Sequence, residues 1–152
     1  MAHPWPIVDA FVMDASSIDA HGAPGLPLPS TVGVVLVVDD DPLICAVVSR
    51  FLRREGRAVR TYPDADAAMA ALDVVTEPID MVLTDVSMPG ELDGIDLAAL
   101  LARRRPETPV VLMSGSAGSL ARGGRATGVW ATLAKPFTLD ELGDAIAAVA
   151  HR

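Results

Sequence analysis

Three aspartates, a serine and a lysine are the residues best able to do chemistry in this chain, because each directly follows a short apolar run. Val34-Val-Leu-Val-Val leads into Asp39 and Asp40, and Ile79-Asp-Met-Val-Leu-Thr leads into Asp85. Val110-Val-Leu-Met leads into Ser114, and Trp130-Ala-Thr-Leu-Ala into Lys135. Brought together, the carboxylates oppose one another: two of them about 4 Å apart repel by roughly 4 kcal/mol at an effective dielectric of about 20. A cation is the natural compensation. Hard carboxylate oxygens open to water suit Mg²⁺ or Mn²⁺, which keep several waters and take one or two carboxylates together with phosphate oxygens. Zinc lacks its ligands, since Cys45 is the single cysteine and His3, His21 and His151 lie towards the two ends of the chain. A carboxylate beside such an ion can attack phosphorus and form an acyl phosphate, provided positioned donors neutralise the incoming charge. Lys135 offers a positive charge for that purpose and Ser114 a hydroxyl.

The elements that must gather these residues are legible in the hydrophobic pattern. From Thr31 onward, short apolar runs alternate with amphipathic stretches, as in βα units built round a parallel sheet. Val34–Val38 is apolar without interruption, which suits a strand covered on both faces. Asp41 and Pro42 open a helix, the aspartate as cap and the proline where its missing N–H costs nothing. Leu43, Ile44, Val47, Val48, Phe51 and Leu52 then recur at helical spacing before Gly56. Further strands are predicted over 58–62, 79–84, 110–113 and 130–134, the second of the five less buried because Arg57 and Arg60 flank it. Helices are predicted over 64–74 and 95–105, the latter ending in a solvated run of Arg103, Arg104 and Arg105 that complements the carbonyl end of its dipole. The stretch SGSAGSLARGGRATG holds so much glycine that a fourth helix should be short or frayed. Thr138 and Glu141 form a capping box that starts a last helix running to about residue 150. In an open parallel sheet, ligands bind beyond the carboxyl ends of the strands, where Asp39, Asp40, Asp85, Ser114 and Lys135 all fall.

A chain of 152 residues accommodates one domain with a real core. Residues 1–30 hold five of the twelve prolines and read as a weakly ordered arm, with a short strand considered at 7–13; the domain itself is expected over 31–152. Twenty acidic against twelve basic residues, a formal charge of -8, argue against direct contact with DNA or RNA. No basic leader with a long apolar run opens the chain and no stretch approaches the roughly 18 apolar residues of a membrane span, so the protein is expected in the cytoplasm.

The motifs VLVVDDDP at 35–42, DMVLTDVSMPG at 80–90 with DG at 93–94, PVVLMSG at 109–115 and AKPF at 134–137 resemble the response-regulator receiver domain of two-component signalling. The resemblance covers about residues 31–152. It implies a doubly wound α/β fold, flavodoxin-like, with a five-stranded parallel sheet in the order 2-1-3-4-5. It also implies that Asp85 is the phosphoacceptor, that Asp39 and Asp40 form the acidic pair, and that Mg²⁺ is held chiefly by Asp40, Asp85 and the backbone carbonyl of Ser87. Ser114 and Lys135 stand where the family's hydroxyl and lysine meet the phosphoryl group, and the bond before Pro136 is expected to be cis. The phosphoryl donor would be a histidine on a sensor kinase or on a histidine phosphotransfer protein. No enzyme activity is implied beyond the chain's own phosphorylation and dephosphorylation.

Three departures from the family pattern stand out. MPGELDG at 88–94 carries one residue more than the usual MPGMDG, so the loop after Asp85 should be shaped differently. Thr132 occupies the place of the usual switch tyrosine or phenylalanine, with Trp130 near enough in sequence to stand in for it or to belong to the core. The third is the glycine-rich fourth helix. With the receiver filling nearly everything after residue 30, no DNA-binding output domain is expected, whether the chain stands alone, pairs with a second copy, or belongs to a larger hybrid kinase. The competing classes are a receiver-shaped interaction module without phosphorylation and a Mg²⁺-dependent phosphohydrolase. The intact acidic residues with Ser114 and Lys135 argue against the first, and the lack of a substrate cap against the second.

Overall fold

In the computed structural model, which describes residues 33–150, the interior strand β1 (Val34–Val38) is buried along its whole length. Its side chains divide between two cores by the period-2 rule: Val34, Leu36 and Val38 enter one, Val35 and Val37 the other. Around it, β2 (Ala58–Tyr62), β3 (Ile79–Asp85), β4 (Val110–Ser114) and β5 (Val129–Ala134) complete a parallel sheet in the order β2-β1-β3-β4-β5. The fold is therefore the doubly wound α/β arrangement that the resemblance implied. The arm assigned to 1–30, with the strand considered at 7–13, lies outside the described residues.

Helices α1 (Pro42–Arg54) and α5 (Leu139–Ala150) cover one face, supplying Cys45, Val48, Leu52, Leu142, Ile146 and Val149 to its core. Helices α2 (Ala65–Leu72) and α3 (Gly94–Arg104) cover the other through Ala65, Ala68, Leu72, Leu97, Ala98 and Leu101. The short helix α4 (Ala117–Gly123) sits beside Leu112 on that second face, seven residues long as its glycine content predicts. Local chemistry starts α1 and α5 where the sequence suggested. Asp41 accepts from the Leu43 N–H ahead of Pro42, and Thr138 and Glu141 form their reciprocal capping box at 2.8 and 3.2 Å.

The junction of α2 and α3 differs from the expectation. Helix α2 ends at Leu72, two residues early, and the arginine run is more than a solvated end. Arg104 pairs with Asp73 at 2.9 Å, and Arg105 donates to the Leu72 carbonyl at 3.3 Å, so the end of α3 satisfies carbonyl and charge at the end of α2. For Trp130 the structure selects the core alternative. It packs, half-buried, against the α1/α5 core and shares a cavity with Arg57, Asp80 and Pro109. These residues lie at the amino ends of the strands, four residues back along β5 from Ala134, the partner of Ser114. Trp130 is a core residue at the far rim.

Gly94 is where fold and rim meet. A β-carbon built on it would lie 2.0 Å from the backbone carbonyl oxygen of Asp85, a collision between main chains that no side-chain rotation relieves. Gly94→Ala is accordingly expected to destabilise the fold by about 3 kcal/mol, at the upper end for overpacking, read as a lowered midpoint in urea denaturation.

Candidate functional site

Because β1 lies beside β3, their carboxyl ends place Asp39, Asp40 and Asp85 together, with one oxygen from each carboxylate within 4.8 Å of the others. Asp39 is wholly buried, and its position is fixed at several atoms. Its N–H donates to the Tyr62 carbonyl at 3.1 Å, its Oδ1 accepts from the Asp41 N–H at 2.9 Å, and its Oδ2 accepts from Lys135 Nζ at 2.6 Å. The same Nζ lies 3.2 Å from Asp85 Oδ1, so one ammonium bridges two carboxylates. Lys135 is aimed there by its backbone: its N–H donates to the Ser114 carbonyl at 2.9 Å, continuing the β4–β5 ladder one step, and the bond to Pro136 is cis. Ser114 is buried, and its hydroxyl oxygen accepts from the Ser116 N–H at 3.1 Å. Asp40 is exposed and makes no ion pair among the described residues; Ser87 is exposed two residues beyond Asp85.

The site thus carries three carboxylates against one ammonium. Burial raises the Asp85 carboxyl above its usual range, Lys135 works against that rise, and the charges of Asp39 and Asp40 add to it. Burial also disfavours the charge on Lys135, but the hydrogen bond and charge of Asp39, with those of Asp85, outweigh it and hold the ammonium above the usual lysine range. Lys135 stays charged as a result. The Cys45 thiol, pushed up to about 12 by burial and then by the charge of Asp39, remains protonated and donates to the Asp39 carbonyl at 3.4 Å. An acidic cluster of hard oxygens with more negative than positive charge can bind a metal ion.

All six residues singled out from the sequence lie on this rim or next to it. Sequence reasoning missed the contacts that hold it from behind: the Cys45 thiol on Asp39, the close approach of Gly94 to Asp85, and Asp66, whose carboxylate accepts from Glu91 and Leu92 in the loop after Asp85. Asp66 carries no sequence signal for that role, being 25 residues from Glu91.

Fold and rim together define a doubly wound α/β protein with an acidic pocket at the carboxyl ends of its central strands, where such sheets bind their ligands. Comparison with known proteins gives this class its family. The chain belongs to the response regulator receiver domain family, whose model matches residues 35–147. It is 36% identical over 141 residues to the transcriptional regulatory protein TcrA of Mycobacterium tuberculosis, covering 91% of this chain and 54% of TcrA. It is 34% identical over 110 residues to the nitrogen assimilation regulatory protein NtrX of Azorhizobium caulinodans, covering 71% of this chain and 24% of NtrX. This chain therefore spans about half and about a quarter of those two relatives. Among solved structures, the receiver domain of NtrX from Brucella abortus superposes with a TM-score of 0.69 at 32% identity, over 77% of this chain and 98% of that one. A CheY-like receiver domain protein from Methanospirillum hungatei shares the fold with a TM-score of 0.69 at 24% identity, over 78% of this chain and 94% of that one. No helix among the described residues is long and apolar enough to cross a membrane.

Two substitutions should move stability in opposite directions. Since the folded chain raises the Asp85 carboxyl, it holds that proton more tightly than the unfolded chain. The stability tied to that proton is complete below the usual carboxylate range and is lost as pH rises through the raised value. Asp85→Asn is therefore expected to melt above the native protein at neutral pH in EDTA, with the gain fading in acid. Lys135→Met leaves buried Asp39 without its counter-ion and should lose about 3–5 kcal/mol, measured by urea denaturation at the same pH.

Proposed function

We propose that this receiver accepts a phosphoryl group on Asp85 from a phosphohistidine of a sensor histidine kinase or a histidine phosphotransfer protein, and signals by binding a partner. The observation that carries this reading is the bridging ammonium of Lys135, 2.6 Å from Asp39 and 3.2 Å from Asp85, beside an Asp40 that makes no ion pair among the described residues. Such a site is charged and shaped for one more cation and one anionic group. Asp39, Asp40, Asp85 and the backbone carbonyl of Ser87 would hold Mg²⁺, with Mn²⁺ as a substitute. The three clustered carboxylates and their excess negative charge fit a hard divalent ion. When bound, the ion offsets the mutual repulsion of the carboxylates and the charge of the incoming phosphoryl group.

An Asp85 carboxylate oxygen attacks phosphorus in line. A P–O bond forms as the P–N bond breaks, and the electron pair of the broken bond stays on the donor imidazole, which is protonated at its other nitrogen and leaves neutral. Lys135, already in contact with Asp85, neutralises the phosphoryl oxygens at no cost in reorganisation. Ser114 can turn its hydroxyl away from the Ser116 amide and donate to the same group. A formal charge of -8 favours a protein over a nucleic acid as its direct partner.

Intact-mass spectrometry after incubation with acetyl phosphate and Mg²⁺ tests this. The native chain should gain one phosphoryl group, and both Asp85→Asn and EDTA should abolish the gain. A native chain that gains nothing and also fails to bind beryllofluoride would be a receiver-shaped interaction module instead.

A further inference from the structure

The loop between β3 and α3, residues 86–93, contains the additional residue that departs from the family pattern, and it is held from outside. Its base is closed by the main chain: the Val86 N–H donates to the Met113 carbonyl at 3.0 Å, and the Gly94 N–H to the Val86 carbonyl at 2.9 Å. Met88 and Leu92 pack against the core beneath α2 and α3. Between these anchors, Pro89, Gly90 and Glu91 form a tip whose amide partner comes from another element. Asp66, in the first turn of α2, accepts through Oδ2 from the Glu91 N–H at 3.0 Å and from the Leu92 N–H at 3.5 Å. Gly90 passes directly over the same oxygen, where a β-carbon would come within 2.3 Å of it, and its φ of +116° is strained for any other residue.

Helix α2 does not use Asp66 to cap itself. Its cap is Asp64, which accepts from the Ala67 N–H at 2.7 Å. The Asp66 carboxylate is thus committed to the loop, and through it α2 grips the segment that contains Ser87. A loop lengthened by one residue has more conformations to lose when it closes on a ligand. A charged acceptor meeting its amides at the tip removes part of that freedom in advance.

We infer that Asp66 is a positioning residue of the proposed phosphoryl-acceptor site, holding the loop after Asp85 so that it need not be ordered when the acidic pocket takes up its divalent ion. This rests on the reading of that pocket given above. It also makes α2 a lever on the site: a contact that shifts the start of α2 shifts the loop with it.

The test compares the native chain with Asp66→Ala, which removes the acceptor, and Asp66→Asn, which keeps an oxygen there. Mg²⁺ affinity is measured by calorimetry, and the rate of phosphoryl gain from acetyl phosphate is followed at low and at saturating Mg²⁺. Asp66→Ala should weaken Mg²⁺ binding about tenfold, the scale of lost outer contacts at metal sites. Its phosphorylation should be slow at low Mg²⁺ and return to near the native rate at saturation. Asp66→Asn should stay within about threefold of native, since it exchanges a charged for a neutral acceptor. Gly90→Ala, whose β-carbon would meet Asp66 Oδ2 and push the tip off it while leaving the sequence of α2 unchanged, should reproduce the loss and serves in place of Asp66→Ala if that variant folds poorly. Native Mg²⁺ affinity in Asp66→Ala, or in Gly90→Ala where the latter substitutes for it, would overturn the inference while leaving the receiver reading intact, even if the melting temperature fell. A native chain that neither binds Mg²⁺ nor gains a phosphoryl group would overturn the receiver reading, and this inference with it.

Discussion

One ammonium set between two carboxylates governs the rim of this protein. Lys135 lies within 3.2 Å of both Asp39 and Asp85, and neither acid is free to retreat into water, because Asp39 is wholly buried and Asp85 nearly so. Burying charge is expensive unless it is paired and hydrogen-bonded. Here the pairing is incomplete, with Asp40 left over and the Asp85 carboxyl raised by burial. The site therefore carries a surplus of negative charge that a cation can offset.

The sheet makes this arrangement unavoidable once its order is set. With β1 between β2 and β3, the last residues of β1 and β3 must be neighbours, and parallel pairing puts the ends of β4 and β5 on the same side. Each site residue leaves a strand of the sheet with little freedom of its own. The Tyr62 carbonyl holds the backbone of Asp39, the Ser114 carbonyl holds that of Lys135, and α3 begins so close to Asp85 that only glycine fits at position 94. The strength of the core is thereby lent to the geometry of the rim, as a positioned site requires.

Around that fixed centre the loops are held less uniformly. The segment after Asp85 is anchored by its own main chain, by Met88 and Leu92 in the core, and by Asp66 from α2. The stretch after Ser114 has only a seven-residue helix, whose cap Ser116 shares its neighbourhood with the Ser114 hydroxyl. Thr132, the small residue in place of a switch aromatic, is exposed on β5, its methyl group close to Gly124 just past the end of α4. Trp130 does not take over, because it faces the α1/α5 core at the opposite end of the strand.

Sequence alone determined the strands, the helix starts and the identity of the rim residues, since all of these are encoded locally. Apolar runs of strand length, Asp41 before Pro42, and Thr138 three residues before Glu141 act through neighbours in the chain. The residues at the strand ends could be named for the same reason, and the motifs around them pointed to the family. Only the tertiary structure decided which carboxylates Lys135 touches, that Arg104 and Arg105 clasp α2, that Cys45 supports Asp39, and that Asp66 holds a loop 25 residues away. Each of these is a side-chain contact between separate elements, set by how helices settle on the sheet. Such contacts follow from packing in three dimensions, and no spacing along the chain announces them.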